Sequence, residues 1–216
     1  MEYFGKNKGL PPDIHKKKYF KCNKCHKADE MHGDGNDYAN RYEVENGPKC
    51  IQCHKEIYDP KSANPKNHWI HKDQVSCQVC HSVAYKNCSS CHVGKDKQGL
   101  NYFKAKPSVL NFKVGLNPLQ SEKRPEKFVT LRHVPVTQGT FDFYVKNGLS
   151  NFDRLPTWKL ATPHNIQRKT PQNETCNNCH GNQQLFLLES DVDTKEKKAN
   201  KDVMVPNEQI PKKRPG

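Results

Sequence analysis

Residues 77–92 read CQVCHSVAYKNCSSCH, a stretch that contains one five-residue pattern twice, as Cys77-Gln78-Val79-Cys80-His81 and as Cys88-Ser89-Ser90-Cys91-His92. The same pattern, C-x-x-C-H, occurs three more times, as CNKCH at 22–26, CIQCH at 50–54 and CNNCH at 176–180. All 10 cysteines of the 216-residue chain belong to these five motifs. Histidine occupies 11 of the 216 positions, so five histidines directly after five cysteine pairs do not reflect chance.

The spacing suits covalent attachment of haem. Cysteines at positions i and i+3 with histidine at i+4 share one face of a helical turn, so two thioether bonds hold the edge of the macrocycle while the imidazole binds the iron. The motifs resemble those of c-type cytochromes, from Cys22 to His180, and imply five haem c groups. The thioether cysteines would be Cys22, Cys25, Cys50, Cys53, Cys77, Cys80, Cys88, Cys91, Cys176 and Cys179, and the proximal ligands His26, His54, His81, His92 and His180.

Other uses of paired cysteines explain the pattern less well. A disulfide framework does not require histidine after each pair, and structural zinc sites take four ligands, so five pairs would leave one without a partner. A thioredoxin-like redox motif would occur once, within a βαβ pattern that is not found here.

Six histidines lie outside the motifs, and five low-spin haems with two imidazoles each need five of them. The candidates for the distal position are His15, His32, His68, His71, His133 and His164. The segment His68-Trp69-Ile70-His71, shortly before Cys77, resembles the class III, or cytochrome c3, family, in which two histidines three apart serve different irons. The resemblance implies that one of this pair binds the haem of His81. The sequence leaves the other pairings open.

The amino-acid composition limits which partners we expect for this protein. The net charge is +13, but ten propionates on five haems would offset about ten of these charges, so we expect no nucleic-acid partner. No apolar run is long enough for a membrane span or a signal peptide. Because c-type haem is attached on the secretory side in the families that carry the motif, we expect the mature form of an exported protein, extracellular or at the cell surface, or else periplasmic.

The pattern predicts a mostly irregular fold, with short α-helices around a haem core and little regular sheet. We expect a tetrahaem-dense region at 1–92, a haem-free insertion at 93–160, a fifth-haem region at 161–193 and a basic Pro- and Lys-rich tail at 194–216. Within the insertion, β-branched and aromatic residues at 128–134 and 141–145 predict a small β-hairpin. Thr162-Pro163-His164 predicts a helix start. The tail shows no apolar period, so alone it should be extended, and we expect it to pack on a neighbouring subunit. The 11-residue step from Cys77 to Cys88 predicts a stacked pair of the third and fourth haems.

With two imidazoles on each iron no coordination site is open, so we expect electron transfer, with no catalytic residues and no enzymatic activity. The chain is similar to extracellular filament-forming multihaem cytochromes, which implies that it polymerises with itself and passes electrons to redox partner proteins or extracellular acceptors. A discrete periplasmic or outer-surface shuttle is the alternative. A multihaem reductase with one open iron site is the rival from another class, and it would be marked by high-spin iron.

Overall fold

A computed structural model of the chain describes residues 3–5, 10–44, 47–62, 64–83, 85–86, 94–102, 109–110, 113–134, 145–146 and 154–215. The chain divides into two compact units, one formed by residues 14–72 and the other by residues 1–13 together with 73–216. Coil predominates among the described residues of both units, with short helices, one three-stranded antiparallel sheet and two short strand pairs. The coarse fold expected from the sequence is therefore confirmed. The four-part division by haem content stays a prediction.

The unit of residues 14–72 is built from five short helices. They are α1 (Ile14–Lys17), α2 (Cys22–Cys25), α3 (Ala28–His32), α4 (Cys50–Cys53) and α5 (Pro65–His71). Each is one or two turns long, and an isolated helix of that length is not stable in water. None of the described residues of this unit is buried. The unit must therefore be held by something other than a core of its own side chains.

The larger unit contains α6 (Cys77–His81), α7 (Lys197–Asn200) and the sheet β5-β6-β7, made of Lys113–Leu116, Phe128–His133 and Trp158–Leu160. Both pairings are antiparallel, with Leu116 opposite Phe128 and His133 opposite Trp158. Two further antiparallel pairs join β1 (Tyr85–Lys86) to β4 (Val109–Leu110) and β2 (Gly94–Lys95) to β3 (Asn101–Tyr102).

The structure confirms the first strand of the expected hairpin, residues 128–134, but pairs it with other strands. The first strand is β6, but its neighbours are β5 and β7, and residues 141–144 of the expected second strand lie outside the described residues. Strand β6 reads Phe-Val-Thr-Leu-Arg-His, and its first four residues are buried. Since β6 is central, both of its edges are taken up by strands from other parts of the chain, a pairing that local turn signals cannot reveal.

The C-terminal segment, residues 194–215, belongs to the core of this unit. Val205 and Ile210 are buried in one cluster with Val79, Val114 and Phe186. This corrects the expectation of an extended tail that needs a neighbouring subunit to order it. The apolar residues of the segment are few and irregularly spaced, which conceals them from a search for periodicity, yet they fill the gap beside the sheet. Whether its exposed face meets another subunit stays a prediction.

Close approach explains why this segment lies where it does. The N–H of Leu116 donates to the Val203 carbonyl at 3.0 Å, and the N–H of Val205 donates to the Leu187 carbonyl at 2.8 Å. A Cβ placed on Gly115 would lie 2.6 Å from the Val203 carbonyl oxygen. Glycine at this position therefore allows the C-terminal backbone to reach the sheet.

The expected helix start at Thr162-Pro163-His164 is not found, and His164 lies in an exposed bend. The backbone that follows is bonded to distant segments instead. The N–H of Ile166 donates to Asp13 Oδ2 at 2.6 Å, and Gln167 N–H donates to the His81 carbonyl at 2.8 Å. These long-range bonds outcompete the local helix signal, which is worth only about 1 kcal/mol.

Candidate haem-binding site

The described C-x-x-C-H motifs each form a single helical turn. The first three lie on α2, α4 and α6, and the fifth lies on the 3₁₀ helix Cys176–Asn178 and the residues that follow it. The histidine N–H donates to the carbonyl of the first cysteine at 2.9 Å in the first, second and fifth motifs. This i to i+4 bond holds both cysteines and the histidine on one turn, as their spacing predicts. The fourth motif, Cys88 to His92, lies outside the described residues.

In three motifs the histidine Nδ1 is bound by an oxygen acceptor. His26 Nδ1 donates to Glu30 Oε2 at 2.8 Å, His81 Nδ1 to the Gln167 carbonyl at 3.1 Å, and His180 Nδ1 to the Lys212 carbonyl at 3.0 Å. Because these oxygens can only accept, the proton of a neutral imidazole sits on Nδ1 and the lone pair on Nε2. Metal-binding histidines almost always show this arrangement.

Of these acceptors, the sequence could have indicated only Glu30, which follows His26 by four residues. Such a pair faces one side of a helical turn. The carbonyls of Gln167 and Lys212 come from segments 86 and 32 residues away. No local pattern marks them, since every residue has a carbonyl and only the fold decides which one reaches the ring.

None of the eight described cysteines forms a disulfide, and those of the first two motifs are exposed. In the larger unit Cys176 is exposed, whereas Cys77, Cys80 and Cys179 are partly buried. Burial, with a smaller contribution from the neighbouring Cys179, raises the pKa of the Cys80 thiol to about 11, and burial also raises the pKa of Cys179. A thiol in such surroundings is a neutral, apolar group. A thioether, which never ionises, suits the same position.

The third and fifth motifs lie side by side, although 99 residues separate Cys77 from Cys176. The connection is the 3₁₀ helix Pro171–Asn173, which directly precedes the fifth motif. Gln172 Nε2 donates to the Val79 carbonyl at 3.0 Å, and Asn173 Nδ2 donates to the Cys80 carbonyl at 2.9 Å. Val79 and Cys179 meet in the same apolar cluster. Two motifs that are distant in sequence are thus held together by side-chain amides.

Four of the six distal candidates belong to the unit of residues 14–72. His15 lies on α1, and its ring centre is 6.0 Å from that of His54. His32 ends α3, while His68 and His71 lie three apart on α5, where His71 Nδ1 donates to the Asn67 carbonyl at 2.7 Å. His81 belongs to the other unit, so its pairing with His68 or His71 stays a prediction.

His133 has a different environment from the other candidates. Its Nε2 lies 3.1 Å from Glu196 Oε2, an oxygen that also accepts from Thr157 Oγ1 at 2.7 Å. Its ring packs 5.1 Å from the ring of Trp158. Asn200 completes the cluster by accepting from the Trp158 N–H at 2.8 Å. The nitrogen that normally binds iron is therefore engaged in joining β6 to the C-terminal segment.

The donor set fits haem c. Thiols and imidazoles stand on one turn at thioether spacing, and three imidazoles are oriented with Nε2 as the basic nitrogen. In the unit of residues 14–72, large apolar side chains are exposed, such as Trp69 on α5 at 61% and Ile51 within the second motif at 48% of their full surface. Exposed apolar groups in a unit whose described residues are not buried need a large apolar partner, which a porphyrin would supply.

Among the described residues no three His, Cys, Asp or Glu side chains converge to hold a metal ion. A structural zinc site needs about four such ligands. Haem iron takes only two nitrogens from the protein, one on each face, and does not require such a cluster. Within the same residues no helix is long and apolar enough to cross a membrane.

Comparison of the chain with protein-family models, with curated proteins and with solved structures finds no match. The chemistry of the site is therefore inferred from the motif turns, the acceptors at Nδ1 and the environment of the thiols.

Proposed function

We propose that this protein binds five haem c groups through its C-x-x-C-H motifs and transfers electrons through them. The observation that carries the proposal is the motif turn with its oriented histidine. In the first, third and fifth motifs a single turn presents two cysteines and an imidazole whose Nδ1–H is bonded to an oxygen. When bound, the haem irons would supply one-electron redox chemistry at potentials set by their axial ligands.

The residues of the chain perform three tasks in this proposal. The cysteines anchor each group, so that it stays attached in both oxidation states. The acceptors at Nδ1 keep the imidazoles basic, which favours the ferric state and lowers the potential. The amides of Gln172 and Asn173 hold the third and fifth motifs in contact, which would give electrons a short step between two groups far apart in sequence.

The proposal extends to an extracellular, filament-forming conduit, with the discrete shuttle as its alternative. The coil-rich composition supports the filament, although no motif of the sequence specifies polymerisation. The C-terminal segment no longer adds to it, because Val205 and Ile210 pack within their own chain. Electron microscopy of the purified protein distinguishes the two, since a filament shows continuous fibres and a shuttle shows separate particles.

The test of haem binding is the intact mass of the secreted protein, which should exceed that of the chain by five haems. The variant C50A/C53A should lose one haem of the five. The matched control I51A/Q52A changes the two residues between the same cysteines and should keep all five. A colourless protein, or a mass equal to that of the bare chain, would refute the proposal.

Electron paramagnetic resonance of the oxidised protein tests the ligation. Two imidazoles on every iron give low-spin ferric signals only. One high-spin iron per chain would instead indicate an open coordination site and favour the reductase.

A further inference from the structure

The ring centres of His15 and His54 lie at the separation that two axial ligands of one metal would have. Their centres are 6.0 Å apart and their planes are inclined by 69°. Two imidazoles on opposite sides of one metal, each with a metal–nitrogen bond of about 2.0 Å and about 1.1 Å from nitrogen to ring centre, have centres about 6.2 Å apart. Planes that share the ligand axis can be rotated about it freely, so the inclination is compatible with this arrangement.

We propose that His15 is the second axial ligand of the iron bound by His54, an inference that rests on the proposed function. His15 precedes the first motif by only seven residues, from His15 to Cys22, so proximity along the chain would assign it to the haem of His26. The fold places its ring beside the second motif instead. The segment before one haem motif would thus complete the iron site of another.

The position of His15 is fixed by the turn that follows α1. Its carbonyl accepts N–H groups from Lys18 at 3.1 Å and from Phe20 at 3.0 Å. Tyr19, between them, has a φ of +62°, in the left-handed region. The chain reverses there and brings the Phe20 ring to 5.8 Å from the ring of His15. The imidazole of His15 therefore has the rings of Phe20 and His54 as neighbours.

The backbone of His54 is also held by a local turn. It follows α4 directly, and its N–H donates to the Cys50 carbonyl at 2.9 Å. Each of the two imidazoles is thus attached to a backbone turn that is closed by local hydrogen bonds.

The first experiment replaces the candidate ligand in the full-length, haem-loaded protein. H15F keeps an aromatic ring but removes both nitrogens, so about one fifth of the ferric haem should change from low spin to high spin in electron paramagnetic resonance. H15M offers a thioether in place of the imidazole and should introduce one methionine–iron charge-transfer band in the far red. The control F20L removes the other ring contact of His15 and should leave all five haems low spin.

The second experiment identifies the haem concerned. In a background that lacks the second haem, C50A/C53A/H54A, neither H15F nor H15M should change the spectrum of the remaining four. Two results would overturn the pairing: a full low-spin spectrum in H15F with no new band in H15M, or changes that persist in this background. Intact masses keep the two proposals apart, because five haems with unchanged spectra refute only the pairing, whereas no haem at all refutes the proposed function.

Discussion

The carboxylate of Glu30 should lower the potential of the first haem, and the substitution E30Q tests this. Glu30 Oε2 accepts the Nδ1–H of His26 at 2.8 Å, and the two side chains are only 17% and 28% exposed. Glutamine keeps an acceptor of similar size and removes the negative charge. The ferric iron carries one positive charge more than the ferrous iron, so losing the carboxylate destabilises the oxidised state and raises the potential.

The size of the shift follows from the hydrogen bond. A bond to a charged group contributes about 1.5–3 kcal/mol and a neutral one about 0.5–1.5 kcal/mol, a difference of about 1 kcal/mol. For a one-electron couple about 1.4 kcal/mol corresponds to about 59 mV. If this difference of about 1 kcal/mol stabilises only the ferric state, the reduction potential of the first haem should rise by about 40 mV. Averaged over five haems, the midpoint of the complete titration should rise by about 8 mV.

Spectroelectrochemical titration at low ionic strength measures the shift. The matched control is E43Q, which removes the same charge within the same unit from a carboxylate that binds the Ala39 N–H and Asn40. The shift should vanish in C22A/C25A, which lacks the first haem. An E30Q protein whose potentials do not rise beyond those of E43Q, or fall, would refute the role of Glu30.

Three further predictions concern the larger unit. H133F should keep five low-spin haems, because His133 Nε2 is hydrogen-bonded to Glu196. It should lower the free energy of unfolding in denaturant titrations by about 1–2 kcal/mol. A new high-spin signal would contradict this prediction. G115A should lower the melting temperature, at a cost of about 1–3 kcal/mol, since its Cβ would lie 2.6 Å from a carbonyl oxygen of the C-terminal segment; an unchanged melting curve would argue against the close approach. In chain produced without haem, Cys80 should resist alkylation at pH 8, where a pKa of about 11 leaves about a thousandth of it as thiolate. Its labelling rate should rise about tenfold per pH unit up to about pH 11, and labelling as fast as that of exposed Cys22 would disprove the burial.

The secondary structure of the motifs was predictable because it is local. Cysteines at i and i+3 and a histidine at i+4 require one helical turn, and the structure forms that turn at all four described motifs. The coil-rich fold was equally predictable from a chain with 33% hydrophobic residues. Strand β6 could be recognised from its β-branched and aromatic residues, but its partners β5 and β7 could not, because strand pairing is decided by burial and long-range contacts.

The C-terminal segment and residues 162–164 show where local reasoning fails. The segment reads as a solvated tail by composition, yet Val205 and Ile210 complete the core. Thr162-Pro163-His164 has the residues of a helix start, but the Asp13 carboxylate binds the Ile166 N–H and no helix forms there. In both cases, contacts with remote residues contribute more free energy than the local preference.

By itself, the sequence determined that each described motif places two cysteines and a histidine on one turn, which is all that thioether and imidazole ligation would need. Only the tertiary structure decided which groups meet across the chain: His15 with His54, the third motif with the fifth, and His133 with Glu196. The physical reason is that a ligand's type is a property of one side chain, whereas its partner depends on distances set by the packing of the whole unit.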